Sequence, residues 1–118
     1  MPTTIVLQQA GPLPVSAKFQ VQLSQNPAVL VVYGSGFAEK ANVEIGCEIF
    51  LNGSDTTQAA TVFSNGVNTH RQFLPRALLV EDETAAASAP ATFSIELQPY
   101  GTDTITDLND SFLVLLHH

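Results

Sequence analysis

Apolar and polar residues alternate along much of the chain. Ala17, Phe19, Val21 and Leu23 are interleaved with Lys18, Gln20, Gln22 and Ser24. Val43, Ile45, Cys47, Ile49 and Leu51 alternate with Glu44, Gly46, Glu48 and Phe50, and Phe93, Ile95 and Leu97 with Ser94, Glu96 and Gln98. Successive side chains of a strand leave opposite faces, so each stretch predicts a strand with one face on a core and one in water. Two segments break the pattern. Phe112-Leu113-Val114-Leu115-Leu116 and Ala28 to Tyr33 are continuously apolar or aromatic. In the first, Phe112, Val114 and Leu116 take one side, Leu113 and Leu115 the other. One side packs into the domain's own core. The other needs cover from more of the chain or from a neighbouring subunit, because an exposed apolar stripe is unusual on a soluble monomer. Val29, Val31, Leu113 and Leu115 are the expected oligomer interface.

Thr4 to Gln8, Gln58 to Ser64, Arg71 to Leu74 and Arg76 to Glu81 complete the predicted strands, eight or nine in all. Asn52-Gly53 predicts a tight hairpin, because a type I′ turn needs positive φ at both central residues. It should join the Val43–Leu51 strand to one beginning near Thr57. Asn26-Pro27, Gly34-Ser35-Gly36 and Asn65-Gly66 mark further turns, and Gly11-Pro12-Leu13-Pro14 an irregular connection. Glu81-Asp82-Glu83 reads as a solvated turn, and Thr84 to Ala91 as a surface loop rather than a helix, given Pro90. There is no amphipathic helical stretch, fixed-period repeat or boundary to a second domain. Short strands punctuated by turns predict an all-β fold. We expect an antiparallel β-sandwich of jelly-roll type, spanning residues 1–118 as one domain, rather than a closed barrel.

Composition narrows the partners. Net charge is −7, and charged residues make up only 13% of the 118 residues, about half the usual ~25%. The polar surface is therefore mostly Thr, Ser, Asn and Gln, which favours an extracellular or particle-surface setting over the cytoplasm. Lys18, Lys40, Arg71 and Arg76 are the only Lys and Arg residues. Four scattered cations make no basic patch, so neither nucleic acid nor an anionic membrane is an expected partner. The longest apolar run falls far short of the ~20 residues that span a bilayer, so no membrane insertion is expected. No charged segment followed by an apolar stretch opens the sequence, so no signal peptide is visible. The lone cysteine, Cys47, sits on the apolar side of its strand and reads as a buried structural thiol. His117 and His118 are either native or the start of an expression tag, and carry no functional argument.

The order of elements resembles the compact jelly roll of the C1q and tumour-necrosis-factor family over residues 17 to 116. The likeness rests on the mid-chain hairpin EIFLNGSDTTQAATV, on ATFSIELQP after the acidic EDET, and on the closing DSFLVLL. Bacterial and phage tail modules and some trimeric sugar-binding lectins use a similar architecture. The resemblance implies a homotrimer with strands near the threefold axis that are apolar on both faces, as Phe112–Leu116 is.

Nothing in the sequence resembles a nucleophile elbow, a His-x-Glu pair or a phosphate-binding glycine loop, so no enzymatic activity is expected. His70, the one internal histidine, lies with Arg71 in a polar loop or at a strand edge. Tyr100 is the one aromatic residue clearly in a loop, with Asp103 nearby. His70, Arg71, Tyr100 and Asp103 are the candidate ligand-binding residues, since a glycan site needs an aromatic platform and planar polar groups. Asp103, Asp107, Asn109 and Asp110 offer several oxygens and form a candidate calcium loop. They read equally well as a turn whose Asp and Asn side chains cap their own backbone, and no other cofactor is expected. Asn52-Gly53-Ser54 and Asn109-Asp110-Ser111 match the glycosylation sequon, which chance alone explains. The expected function is a non-catalytic, self-associating structural or assembly module, trimeric on the resemblance. The alternative is a lectin-like module that binds a glycan or protein partner through loops around Tyr100 and His70.

Overall fold

The computed structural model describes residues 2–21, 28–80 and 91–118. Among them the chain forms ten strands: β1 (Thr3–Ala10), β2 (Val15–Val21), β3 (Ala28–Tyr33), β4 (Ser35–Gly36), β5 (Val43–Leu51), β6 (Ser54–Ser64), β7 (Arg71–Gln72), β8 (Arg76–Val80), β9 (Ala91–Pro99) and β10 (Ser111–His117). No helix among the described residues is long and apolar enough to cross a membrane. One four-stranded sheet has the order β1-β10-β3-β8, a second the order β2-β9-β5-β6, and β4 pairs with β7. Every pairing is antiparallel. The protein is an all-β antiparallel sandwich.

Period two sets the core. Leu30, Val32, Phe112, Val114 and Leu116 of the first sheet and Ile45, Ile49, Ile95 and Leu97 of the second are buried in one cluster. Phe19, half-buried at the cluster's edge, stacks its ring on Phe93 at 5.4 Å. Leu113 and Leu115 alternate with the buried positions of β10 and are half-buried, as are Val29 and Val31 on β3.

The Asn52-Gly53 hairpin forms, with φ 53° and 80° at its two central residues. It pairs Leu51 with Ser54, so β6 starts earlier than the expected Thr57. A bulge between Ile49 and Phe50 absorbs the difference. Gly34-Ser35-Gly36 is not the predicted turn: Ser35 and Gly36 pair with Gln72 and Arg71. Arg71–Leu74 is shortened to β7: the Phe73 amide still reaches the Gly34 carbonyl in the same register, but the Leu74 amide turns to the Thr61 carbonyl of β6. Leu23, Asn26-Pro27, the acidic Glu81-Asp82-Glu83 and residues 84–90 of the predicted Thr84–Ala91 loop lie outside the described residues, and Ala91 belongs to β9 rather than to that loop. Cys47 is buried as expected, and burial pushes its thiol up to about 12.

Candidate functional site

Two features stand out, one on a sheet face and one at an end of the sandwich. Residues directly opposite in an antiparallel ladder point to the same side. The register Ile5↔Leu115↔Val31↔Ala77 therefore runs across all four strands on the outer face of the first sheet, flanked by Leu113↔Tyr33 and by Val29↔Leu79. Ile5 and Leu79 are 58% and 56% exposed. No Asp, Glu, Lys or Arg stands among the outward side chains of these strands. The outer face of the second sheet is the opposite. Lys18 of β2, Glu44 and Glu48 of β5 and Glu96 of β9 all point outward there.

The end of the sandwich gathers polar groups from distant segments. Asp110 immediately precedes β10 and continues its inward parity, so its carboxylate goes under the loops and is fully buried. It is well paired: Ser35 Oγ donates at 2.8 Å and the Asp107 amide at 2.9 Å. His70 Nδ1 lies 2.7 Å from Asp110 Oδ1, which fixes the proton on that nitrogen. His70 Nε2 then faces Asp107 Oδ2 at 3.8 Å, and the ring packs on Phe37 with centroids 4.5 Å apart. The hydrogen bond to Asp110 holds the imidazole pKa above its ordinary 6.5. Partial burial opposes this, and the charges of Asp110 and Asp107 add to it.

The predicted ligand-binding residues each engage different partners. Arg71 donates to Asn65 Oδ1 at 2.9 Å. The Tyr100 hydroxyl faces Glu44 on the outer face of the second sheet, and that side chain raises its pKa. Asp103 pairs with Lys40 at 3.5 Å, and both border an open hollow of about 340 Å3 with Glu39, Thr102 and Ile105.

Of the candidate calcium ligands, the structure brings Asp107 and Asp110 together around His70, their ligand-type atoms lying within 4.8 Å of one another. Asp107 Oδ1 also accepts from the Asn109 amide at 2.8 Å, the capping arrangement that was the other reading of this loop. With Asp110 taken up by three donors, few oxygens are left toward the roughly six to eight that calcium takes. Chemically, the arrangement is a buried carboxylate that orients an imidazole. The Ser35 hydroxyl is directed to Asp110 rather than to the imidazole.

Sequence reasoning singled out His70 and Asp110 separately and missed their pairing across 40 residues. The available signal was parity: Asp110 shares the inward phase of Phe112, Val114 and Leu116. No protein-family model and no curated protein sequence matches the chain.

Proposed function

We propose that the chain is a non-catalytic, self-associating structural or assembly module whose contact surface is the outer face of the β1-β10-β3-β8 sheet. The observation that carries this reading is the contrast between the two outer faces, one largely aliphatic, with Thr3, Gln8, Ser111 and His117 beside the aliphatic residues but no Asp, Glu, Lys or Arg, the other carrying Lys18, Glu44, Glu48 and Glu96. A chain of net charge −7 repels its own copies across any face that carries its carboxylates. The uncharged face is where two copies approach without that cost, and a basic partner would find nothing there to pair with. Each fully covered aliphatic side chain contributes on the order of 1.5–3 kcal/mol, and Val29, Val31, Leu113 and Leu115 start half-covered.

The strand order, with β1 beside β10 and β2 beside β9, supports a jelly roll. With it goes the C1q and tumour-necrosis-factor likeness and, from that likeness, a trimer. The test is the solution mass by light scattering on a sizing column. A mass near three times 12.6 kDa is expected, and a monomer at all accessible concentrations overturns the reading.

A lectin-like module is the second reading, favoured by the polar hollow around Lys40 and Asp103. It predicts saturable glycan binding that is lost on Asp103→Ala.

A further inference from the structure

We propose that His70 is a proton-operated clasp at the end of the sandwich, tight when the imidazole is charged and weakened when it is neutral. This goes beyond self-association and does not depend on it. The clasp joins three segments that are remote in sequence. Asp110 adjoins the first residue of β10, Ser35 opens β4 just after β3, and His70 leads directly into β7, the partner of β4. The Asp110 carboxylate takes hydrogen bonds from Ser35, from the Asp107 amide and from His70. Of those donors only the imidazole can add a charge.

The neutral ring, protonated on Nδ1, keeps one hydrogen bond to Asp110. The charged ring turns that bond into an ion pair with a buried carboxylate, and its Nε2–H gains the Asp107 carboxylate at 3.8 Å. The groups facing the ring are Asp107 and Asp110 from the 100–110 loop and the uncharged Phe37 and Ser35 from the β4 segment. On its own segment the neighbouring charge, Arg71, is engaged with Asn65.

The direction follows by linkage. The folded state holds the His70 proton more tightly than the unfolded chain, whose histidine has its ordinary pKa of 6.5. The added stability is therefore full below about pH 6.5 and is lost as pH rises through the higher folded-state value.

The experiment is a pH titration of the imidazole nitrogen and carbon-bound proton resonances in the full chain, with thermal midpoints measured at the same pH values. His117 and His118 are followed by their own resonances. His70 is expected to titrate above an ordinary histidine with Nδ1 protonated throughout, and the thermal midpoint to fall as pH passes that titration. His70→Asn should flatten this part of the stability profile. Asp107→Asn, which leaves the Asp110 bond in place, should move the His70 titration downward in a folded protein even if His70→Asn does not fold. A His70 titration at or below the ordinary value overturns the clasp, as does a stability profile unchanged by His70→Asn.

Discussion

Leu115 stands opposite Val31 across the β10–β3 ladder, and both turn away from the core. These two strands lie at the centre of their sheet, so the pair sits mid-face, where a partner covers most area. Leu115→Asp places a carboxylate there, and association brings the copies' carboxylates together while stripping their water. Like charges meeting across an interface cost several kcal/mol. The association constant should fall at least ~100-fold, about 2.7 kcal/mol. Leu113→Asp should act the same way. Light scattering should report a monomer for either variant, while circular dichroism shows the strand content unchanged because both positions are half-exposed. An assembly that survives both changes means that the contact lies elsewhere.

The hairpin at Asn52-Gly53 carries a second load. The Asn52 amide donates to the Ser94 carbonyl at 2.8 Å, and its side-chain Oδ1 accepts from the Ser94 amide at 2.9 Å. The turn that links β5 to β6 is thus also fastened to β9. Gly53 has φ 80° and open space where a Cβ would stand, so Gly53→Ala costs backbone strain alone, about 1 kcal/mol. Asn52→Ala loses a hydrogen bond as well as a residue type that tolerates φ 53°, and should cost about 1–2 kcal/mol. Urea midpoints measure both, and Asn52→Ala should be the more damaging.

How far the sequence foretold this fold depends on the range of each contact. Alternation in Val43–Leu51 and the adjacent Asn-Gly are local, so their strand and hairpin were legible. The apolar phase of Leu113 and Leu115 was legible too, since parity alone separates them from Phe112, Val114 and Leu116. The β4–β7 pair was not, because Ser35 between two glycines reads locally as a turn and the ladder is decided by the tertiary partner. The His70–Asp110 bond was hidden for the same reason. An acid within Asn-Asp-Ser looks solvated until the phase of β10 is extended one step back to it.

Asp110 is a buried charge kept in place by donors, so its removal should cost more than a surface change. Asp110→Ala leaves the Ser35 hydroxyl and the Asp107 amide without their acceptor, at about 1–3 kcal/mol each when buried. A net loss of about 2–5 kcal/mol is expected in chemical denaturation. Ser35→Ala removes one donor and leaves the carboxylate two, so its cost should be smaller, about 1.5–3 kcal/mol. Equal losses would mean that the other donors do not share the load.

Gly46 shows how closely β5 and β6 approach. A Cβ there would overlap the Ala60 carbonyl oxygen and press on Thr61. The same residue holds the 100–104 segment, since its carbonyl accepts from the Tyr100 amide at 2.9 Å and its amide donates to Thr104 Oγ1 at 3.0 Å. Gly46→Ala forces the strands apart and should cost about 1–3 kcal/mol, the usual range for overpacking a core. Cys47, the next residue, reports on the same strand pair. Buried, with its thiol pushed up to about 12, it should not react with a thiol-specific disulfide reagent in the native protein, and should react fully in denaturant. Where labelling requires opening of the sheet, each kcal/mol of lost stability raises the rate about fivefold. Gly46→Ala should therefore label faster than the parent by the factor its denaturation midpoint predicts. Rapid labelling of the parent itself would show that the β5–β6 pair opens locally, independent of global unfolding.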